Sequence, residues 1–230
     1  MRRVTLVILF REVPRVLGLL SEYLEAQAED QSWADFAAVQ RVGDDLDILL
    51  NVGFESGALS TWKITCGDAR DFWMSDGIDI RLYAEDHPAA RQYSDDQVEL
   101  FFRGACSDAS RVVGKLWHAH RNEVQHWINF DRYLNVVPSL AGLLSGEYGK
   151  LASGPLFLVE RYAEVLDQER LSPSIVSARP PVRLREGNWV PQVNPLYFVQ
   201  LGSCCVIAER FESRRLETAR PRRGHERSRG

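Results

Sequence analysis

The sequence predicts a single α+β domain, and three observations lead to that prediction. Between residues 46 and 102, four segments alternate apolar and polar residues with the period of a half-buried strand. Between residues 109 and 166, apolar residues recur at steps of three and four, as on helices. From residue 182 the strand pattern returns. We expect a mostly antiparallel sheet of roughly six to nine strands, with an N-terminal helix, a central group of helices packed on one face, and C-terminal strands that rejoin the sheet.

The N-terminal segment predicts a strand followed by a helix. Residues 4–10 are mostly apolar, which favours a buried strand, and helical spacing then runs from Pro14 to about Ala28. A signal peptide is the alternative for the first ten residues. However, Arg11 and Glu12 interrupt the apolar run and no small-residue cleavage pattern follows. No apolar run approaches the roughly 20 residues that span a bilayer, so we expect no membrane partner.

The four alternating segments predict strands that each bury one face. Turn residues such as Gly43, Gly57 and Gly77 separate the segments. The side chains expected to point inward are Leu46, Ile48, Leu50, Val52, Trp62, Ile64, Cys66, Ile78, Ile80, Leu82, Ala84, Val98, Leu100 and Phe102.

The middle of the chain predicts helices. The longest pattern runs from about Ala109 to Trp127, and Ser107 or Asp108 is suited to cap its first turn. A short helix is expected to open at Pro138, and another begins at Gly154 and Pro155. The glycines at 146, 149 and 154 are interpreted as the end of one helix and the start of the next.

After the helices, residues 172–181 are interpreted as a connector, and residues 182–190 and 197–211 as strands. Residues 214–230 are rich in arginine and poor in apolar side chains, so we expect a disordered basic tail. The predicted organisation is one domain over residues 1–213, with a split near residue 105 as the alternative.

The charge is unevenly distributed along the chain. The formal net charge is -4, but residues 214–230 hold seven arginines and two glutamates, which leaves -9 for residues 1–213. An acidic body repels phosphates, so nucleic acid is expected to bind only through residues 214–230. The same body suits a basic protein partner. The four cysteines form no dense disulfide framework, which favours reduced thiols and a cytoplasmic protein.

The segment GKLWHAHRNEVQHW contains three of the five histidines. On a regular helix His120 falls within the apolar stripe, His118 falls on the solvated side, and His126 lies about 80° round the axis from His118. A helical zinc site requires histidines four residues apart, and that spacing is absent. We therefore predict a core-facing helix with no metal and no other cofactor. The alternatives are an acid–base pair of His120 with Glu123, and a metal site that a distant carboxylate completes.

A second candidate site lies at the end of a predicted strand, where Glu85, Asp86 and His87 are consecutive. Loops at sheet ends often carry functional groups, and a histidine beside carboxylates is suited to general-base chemistry. This rim, together with His118 or His120, is the basis for a hydrolase, either metal-dependent or acid–base. The other interpretation is a plain surface connection between two strands.

Aromatic residues outside the predicted core form the third candidate site. Tyr83 and Phe101 alternate out of phase with the inward set, and Trp73 and Trp189 lie near strand ends. Tyrosine and tryptophan are enriched at protein interfaces. We therefore take Tyr83, Phe101, Trp73 and Trp189 as candidate partner-binding residues.

No P-loop, dinucleotide fingerprint or nucleophile elbow occurs in the sequence. The sequence therefore predicts a soluble, non-enzymatic, bacterial-type binding protein that acts by protein–protein interaction. It would neutralise a partner as immunity proteins and antitoxins do. A hydrolase that uses the Glu85–Asp86–His87 rim is one alternative. A nucleic-acid accessory protein that acts through residues 214–230 is the other.

Overall fold

A computed structural model describes residues 17–26, 32–74, 80–83, 87–185 and 187–216, with the backbone alone for residues 32, 33 and 80–83. The helices are α1 (Leu19–Glu25), α2 (Pro88–Ser94), α3 (Ala109–Val124), α4 (Leu140–Leu144) and α5 (Leu156–Gln168). The strands are β1 (Ser32–Val42), β2 (Asp45–Phe54), β3 (Leu59–Gly67), β4 (Asp71–Met74), β5 (Ile80–Tyr83), β6 (Gln97–Arg103), β7 (Tyr148–Pro155), β8 (Ser172–Arg179), β9 (Val182–Arg185), β10 (Asn188–Pro191), β11 (Tyr197–Leu201), β12 (Cys204–Ala208) and β13 (Arg210–Leu216).

These strands pair antiparallel and form four sheets in the part of the chain described. The first sheet has the order β1-β2-β3-β13, the second β4-β12-β11-β5 and the third β7-β6-β8. Strands β9 and β10 pair only with each other. The α+β class is confirmed, and strand exceeds helix. A single sheet of six to nine strands was the wrong expectation, because β3 and β4 belong to different sheets, as do β5 and β6.

The second sheet lies between two apolar layers. Val199 and Cys204 pack with the inner faces of α1 and the first sheet, whereas Phe198 and Cys205 pack with α2 and Trp127. The two adjacent cysteines therefore point to opposite faces, as their strand pattern predicts. Every residue of β12 is buried, because both of its faces are covered.

The third sheet packs its inner face on the helices. Val98, Leu100 and Phe102 of β6 form one cluster with apolar side chains of α3, α4 and α5. Asp108 caps α3 by accepting a hydrogen bond from the backbone N–H of Arg111, at 3.0 Å. The alternation predicted for β2, β3 and β6 agrees with their observed burial.

Several predicted boundaries were wrong. Helix α3 ends at Val124 and not at Trp127, because Gln125 adopts a φ of 52°. The expected connector at 172–181 contains strand β8, which pairs with β6. The glycine segment at 146–154 is mainly strand β7 and not a helix junction. The interpretation of residues 83–96 as a plain connection missed α2.

Two predictions for the C-terminal part of the chain were also wrong. Arg214 and Arg215 lie in β13, where they pair with Lys63 and Trp62, so the sheet extends into the segment expected to be disordered. Strands β9 and β10 do not rejoin a larger sheet.

The predicted strand at residues 4–10, the start of the first helix and residues 217–230 lie outside the described residues. No helix within the described ranges is long and apolar enough to cross a membrane.

Candidate binding surface

The β9–β10 hairpin presents apolar side chains to solvent. Trp189 lies directly opposite Leu184, and Pro191 lies directly opposite Val182. Directly paired residues share one side of a sheet, as do residues two apart on a strand, so the four side chains form one surface. Trp189 is 71% exposed and Leu184 is 55% exposed. We call Val182, Leu184, Trp189 and Pro191 the hairpin face.

The other side of the hairpin fixes it to the body of the protein. Arg183 points inward, where its side chain is only 9% exposed, and it forms ion pairs with Asp68, at 3.1 Å, and with Glu209. The guanidinium of Arg70 also donates a hydrogen bond to the carbonyl oxygen of Val182, at 2.7 Å. A buried charge is tolerated when it is paired in this way, so these contacts define the position of the hairpin face.

The hairpin face differs from an isolated exposed apolar residue. Single apolar side chains are common on protein surfaces and require no explanation, whereas adjacent ones mark interaction sites. Here a tryptophan and a leucine are neighbours across two strands, and Val193, which is 79% exposed, lies two residues after the end of the hairpin. A large aromatic ring beside a leucine on a fixed ribbon is suited to fill an apolar pocket of a partner.

The four predicted partner-binding residues do not form one surface. Trp189 lies on the hairpin face, and Phe101, on the outer side of β6, is 36% exposed. Trp73 is half-buried and its ring stacks on Phe198, with 5.5 Å between ring centroids. Tyr83 lies in β5, and its side chain is outside the described residues.

His120 is part of the core and not of a cleft. Its Nε2 lies 2.7 Å from the carbonyl oxygen of Ile128, and its Nδ1 lies 2.8 Å from the hydroxyl oxygen of Tyr162. A carbonyl can only accept, so Nε2 carries the proton and Nδ1 accepts from Tyr162. Burial lowers the pKa of His120 below its ordinary value. Both ring nitrogens are therefore occupied by protein groups, and the lowered pKa favours the neutral ring.

The remaining histidines of that segment diverge from His120. His118 is exposed on α3, and His126 is exposed beyond the end of the helix. Glu123, the predicted acid–base partner of His120, instead pairs with Arg161 at 3.1 Å. His120 is thus buried and His118 is exposed, as the helical spacing predicts, whereas His126 lies beyond the helix on which its predicted position depended.

The Glu85–Asp86–His87 rim is only partly described. Glu85 and Asp86 lie outside the described residues. His87 is the N-cap of α2, where its Nδ1 accepts a hydrogen bond from the backbone N–H of Ala89 at 3.2 Å. The ring of His87 also packs against Phe198 and Trp127, so the structure gives this histidine a capping and packing role.

The thiols and acidic groups form no further site in the part of the chain described. No group of three or more His, Cys, Asp or Glu side chains is placed to hold a metal ion there. No two of the four cysteines form a disulfide bond with each other. Burial raises the pKa of the Cys66 thiol and raises that of Cys204 to about 12, so neither is a ready nucleophile.

Two features of this region were missed by the sequence analysis. Leu184 and Val182 belong to the hairpin face, and the alternation in VRLR followed by NWVP was the signal that could have identified them. Arg41, Arg70 and Arg183 meet beneath the hairpin although they are far apart in sequence, and no local pattern indicates this.

No protein family, no curated protein and no solved structure that was compared matches this chain.

Proposed function

We propose that this protein is a non-enzymatic, cytoplasmic binding protein that docks on a partner protein through the hairpin face. The observation that supports this is the exposed cross-strand pair of Trp189 and Leu184 on a ribbon anchored by the buried Arg183. The chain would act by covering a functional surface of its partner, as an immunity protein or antitoxin does.

The energetics of the hairpin face support this role. Burying the side chains of a tryptophan and a leucine in an interface stabilises the complex by about 25 cal/mol for each Å² of apolar area removed from water. Aromatic residues at the centre of an interface typically cost about 2 kcal/mol or more when they are truncated. Because the hairpin is already fixed by ion pairs, little ordering entropy opposes docking.

The net charge supports a basic partner. Residues 1–213 carry -9, and complementary charge raises the rate at which two proteins meet. Hydrolysis is less well supported, because His120 has both ring nitrogens bonded within the core and Glu123 pairs elsewhere. A nucleic-acid role would depend on residues 214–230, of which only the first three are described, in β13.

The test is partner capture with matched tryptophan variants. The full chain is used to isolate binding proteins from cells of its source, and the captured protein is then titrated in purified form. Trp189→Ala should weaken that affinity by about 30-fold or more, as expected for an interface hot spot. The control is Trp117→Ala, because Trp117 is also exposed but lies on α3.

Equal binding by the Trp189→Ala and wild-type chains would contradict the proposal. So would equal losses in the Trp189→Ala and Trp117→Ala variants. A wild-type chain that retains no protein from those cells would also contradict it.

A further inference from the structure

An arginine-rich cleft lies beneath the hairpin. It has a volume of about 610 Å³ and is bounded by the β1–β2 turn, the segment after β3, β9 and Gly187. Four arginines, Arg41, Arg70, Arg183 and Arg185, line it. We call this space the arginine cleft. Its volume is within the range of pockets that bind small molecules.

Only part of the positive charge in the arginine cleft is neutralised by the residues that the structure describes. Arg183 pairs with Asp68 and Glu209. In contrast, the hydrogen bonds of Arg41 and Arg70 go to backbone carbonyl oxygens, of Ala69 at 3.1 Å and Val182 at 2.7 Å.

The remaining charges favour an anion. Besides Asp68, the acidic side chain of Asp44 belongs to the described lining. Among the described residues, neither Arg185 nor Asp44 forms an ion pair. The three positive charges of Arg41, Arg70 and Arg185 thus exceed the one negative charge of Asp44.

One nitrogen in each of two arginines of the cleft also lacks a hydrogen-bond acceptor among the described residues. The Nε atoms of Arg70 and Arg183 are buried without an acceptor among the described residues. The Arg183 side chain is more than nine-tenths buried. Burial lowers the pKa of Arg70, although the nearby carboxylates of Glu209 and Asp71 act in the opposite direction. An incompletely satisfied buried cation destabilises the protein unless an anion offsets it.

We propose that the arginine cleft binds a small organic phosphate. A carboxylate is satisfied by the two parallel N–H groups of one guanidinium, whereas a phosphate accepts from several donors in different directions. Guanidinium groups that converge from three chain segments therefore suit a phosphate. The cleft is larger than one phosphate group, so an organic remainder fits beside it. This site lies beneath the hairpin, and its lining includes Leu184 of the hairpin face.

The test is calorimetric titration of the full chain with inorganic pyrophosphate, inorganic phosphate and citrate at equal ionic strength. We expect saturable pyrophosphate binding that is about tenfold tighter than that of citrate, because charge-assisted bonds from several arginines act together. Arg41→Gln and Arg185→Gln should each weaken pyrophosphate binding by about tenfold. Both residues are exposed, so these variants should fold.

Arg103→Gln is the matched control, because Arg103 is exposed on β6 and lies outside the cleft. It should change pyrophosphate affinity by less than about twofold. The absence of saturable pyrophosphate binding would overturn the proposal. Citrate binding as tight as that of pyrophosphate would overturn the assignment to phosphate. An equal loss in the Arg103→Gln variant would show that the binding is general surface electrostatics, which also overturns it.

Discussion

The hydroxyl of Tyr162 on α5 donates a hydrogen bond to Nδ1 of His120 on α3, over 2.8 Å. This bond, with the one from Nε2 to the carbonyl of Ile128, fixes a neutral imidazole in the core between the two helices. His120 therefore has a core contact at each ring nitrogen, which favours the hairpin as the candidate for function.

Stability should depend on pH through His120. Its folded pKa is lowered by burial, so the unfolded chain takes up a proton more readily than the folded chain. The free energy of unfolding should therefore be unaffected by His120 at pH values above 6.5, the ordinary pKa of histidine, and should decrease as the pH drops below that value. Urea unfolding at several pH values measures this. His120→Gln should flatten the decline, whereas His118→Gln, at an exposed position, should leave it unchanged. Equal declines in all three proteins would contradict this.

Removing the Tyr162 hydroxyl should destabilise the fold. Tyr162→Phe leaves Nδ1 of His120 buried without a donor, at an expected cost of about 1 to 3 kcal/mol in the free energy of unfolding. Tyr148→Phe is the control, because Tyr148 is exposed on β7. Chemical denaturation gives both values. A Tyr162→Phe protein as stable as the control would show that this bond contributes little.

Arg183 should be required to anchor the hairpin. Arg183→Leu removes the shared partner of Asp68 and Glu209, and breaking a buried ion pair typically costs about 3 kcal/mol or more. Arg185→Leu, on the same side of β9 but exposed, should cost less than about 0.5 kcal/mol. Thermal unfolding of the two variants compares them. Similar stabilities would mean that the buried pairs do not hold the hairpin.

Thiol reactivity should single out Cys106. Cys66, Cys204 and Cys205 are buried, whereas Cys106 is partly exposed. A thiol reagent should therefore modify one group quickly in the folded protein and the remaining three only after denaturation. Cys106→Ser should abolish the fast phase. Two or more fast groups in the native protein would be inconsistent with the buried placement of the others.

The sequence predicted those parts of the fold that depend on local periodicity. Ile48 and Ile64 were placed inward by strand alternation, and His120 by helical spacing, and all three are buried. Strand β8 was missed because it is an exposed edge strand, with no alternation between buried and exposed residues. The end of α3 was missed because Gln125, which is not a glycine, takes a positive φ there.

Other features depend on contacts between distant residues. Gly154 was interpreted as a helix start, but in β7 it leaves space for the ring of Tyr133, which a Cβ would meet at 2.7 Å. The arginine cleft joins Arg41, Arg70 and Arg183, which only the tertiary fold brings together. Trp189 was identified as a candidate from its residue type, whereas its neighbour Leu184 required the register of the hairpin.

The most direct measurement is photocrosslinking in cells of the source, with Trp189→p-benzoylphenylalanine compared with the same replacement at Trp117. We expect a defined adduct with one protein from position 189, because we propose that the partner docks on the hairpin face, and no such adduct from position 117. The absence of an adduct at position 189, or the same set of adducts from both positions, would contradict it.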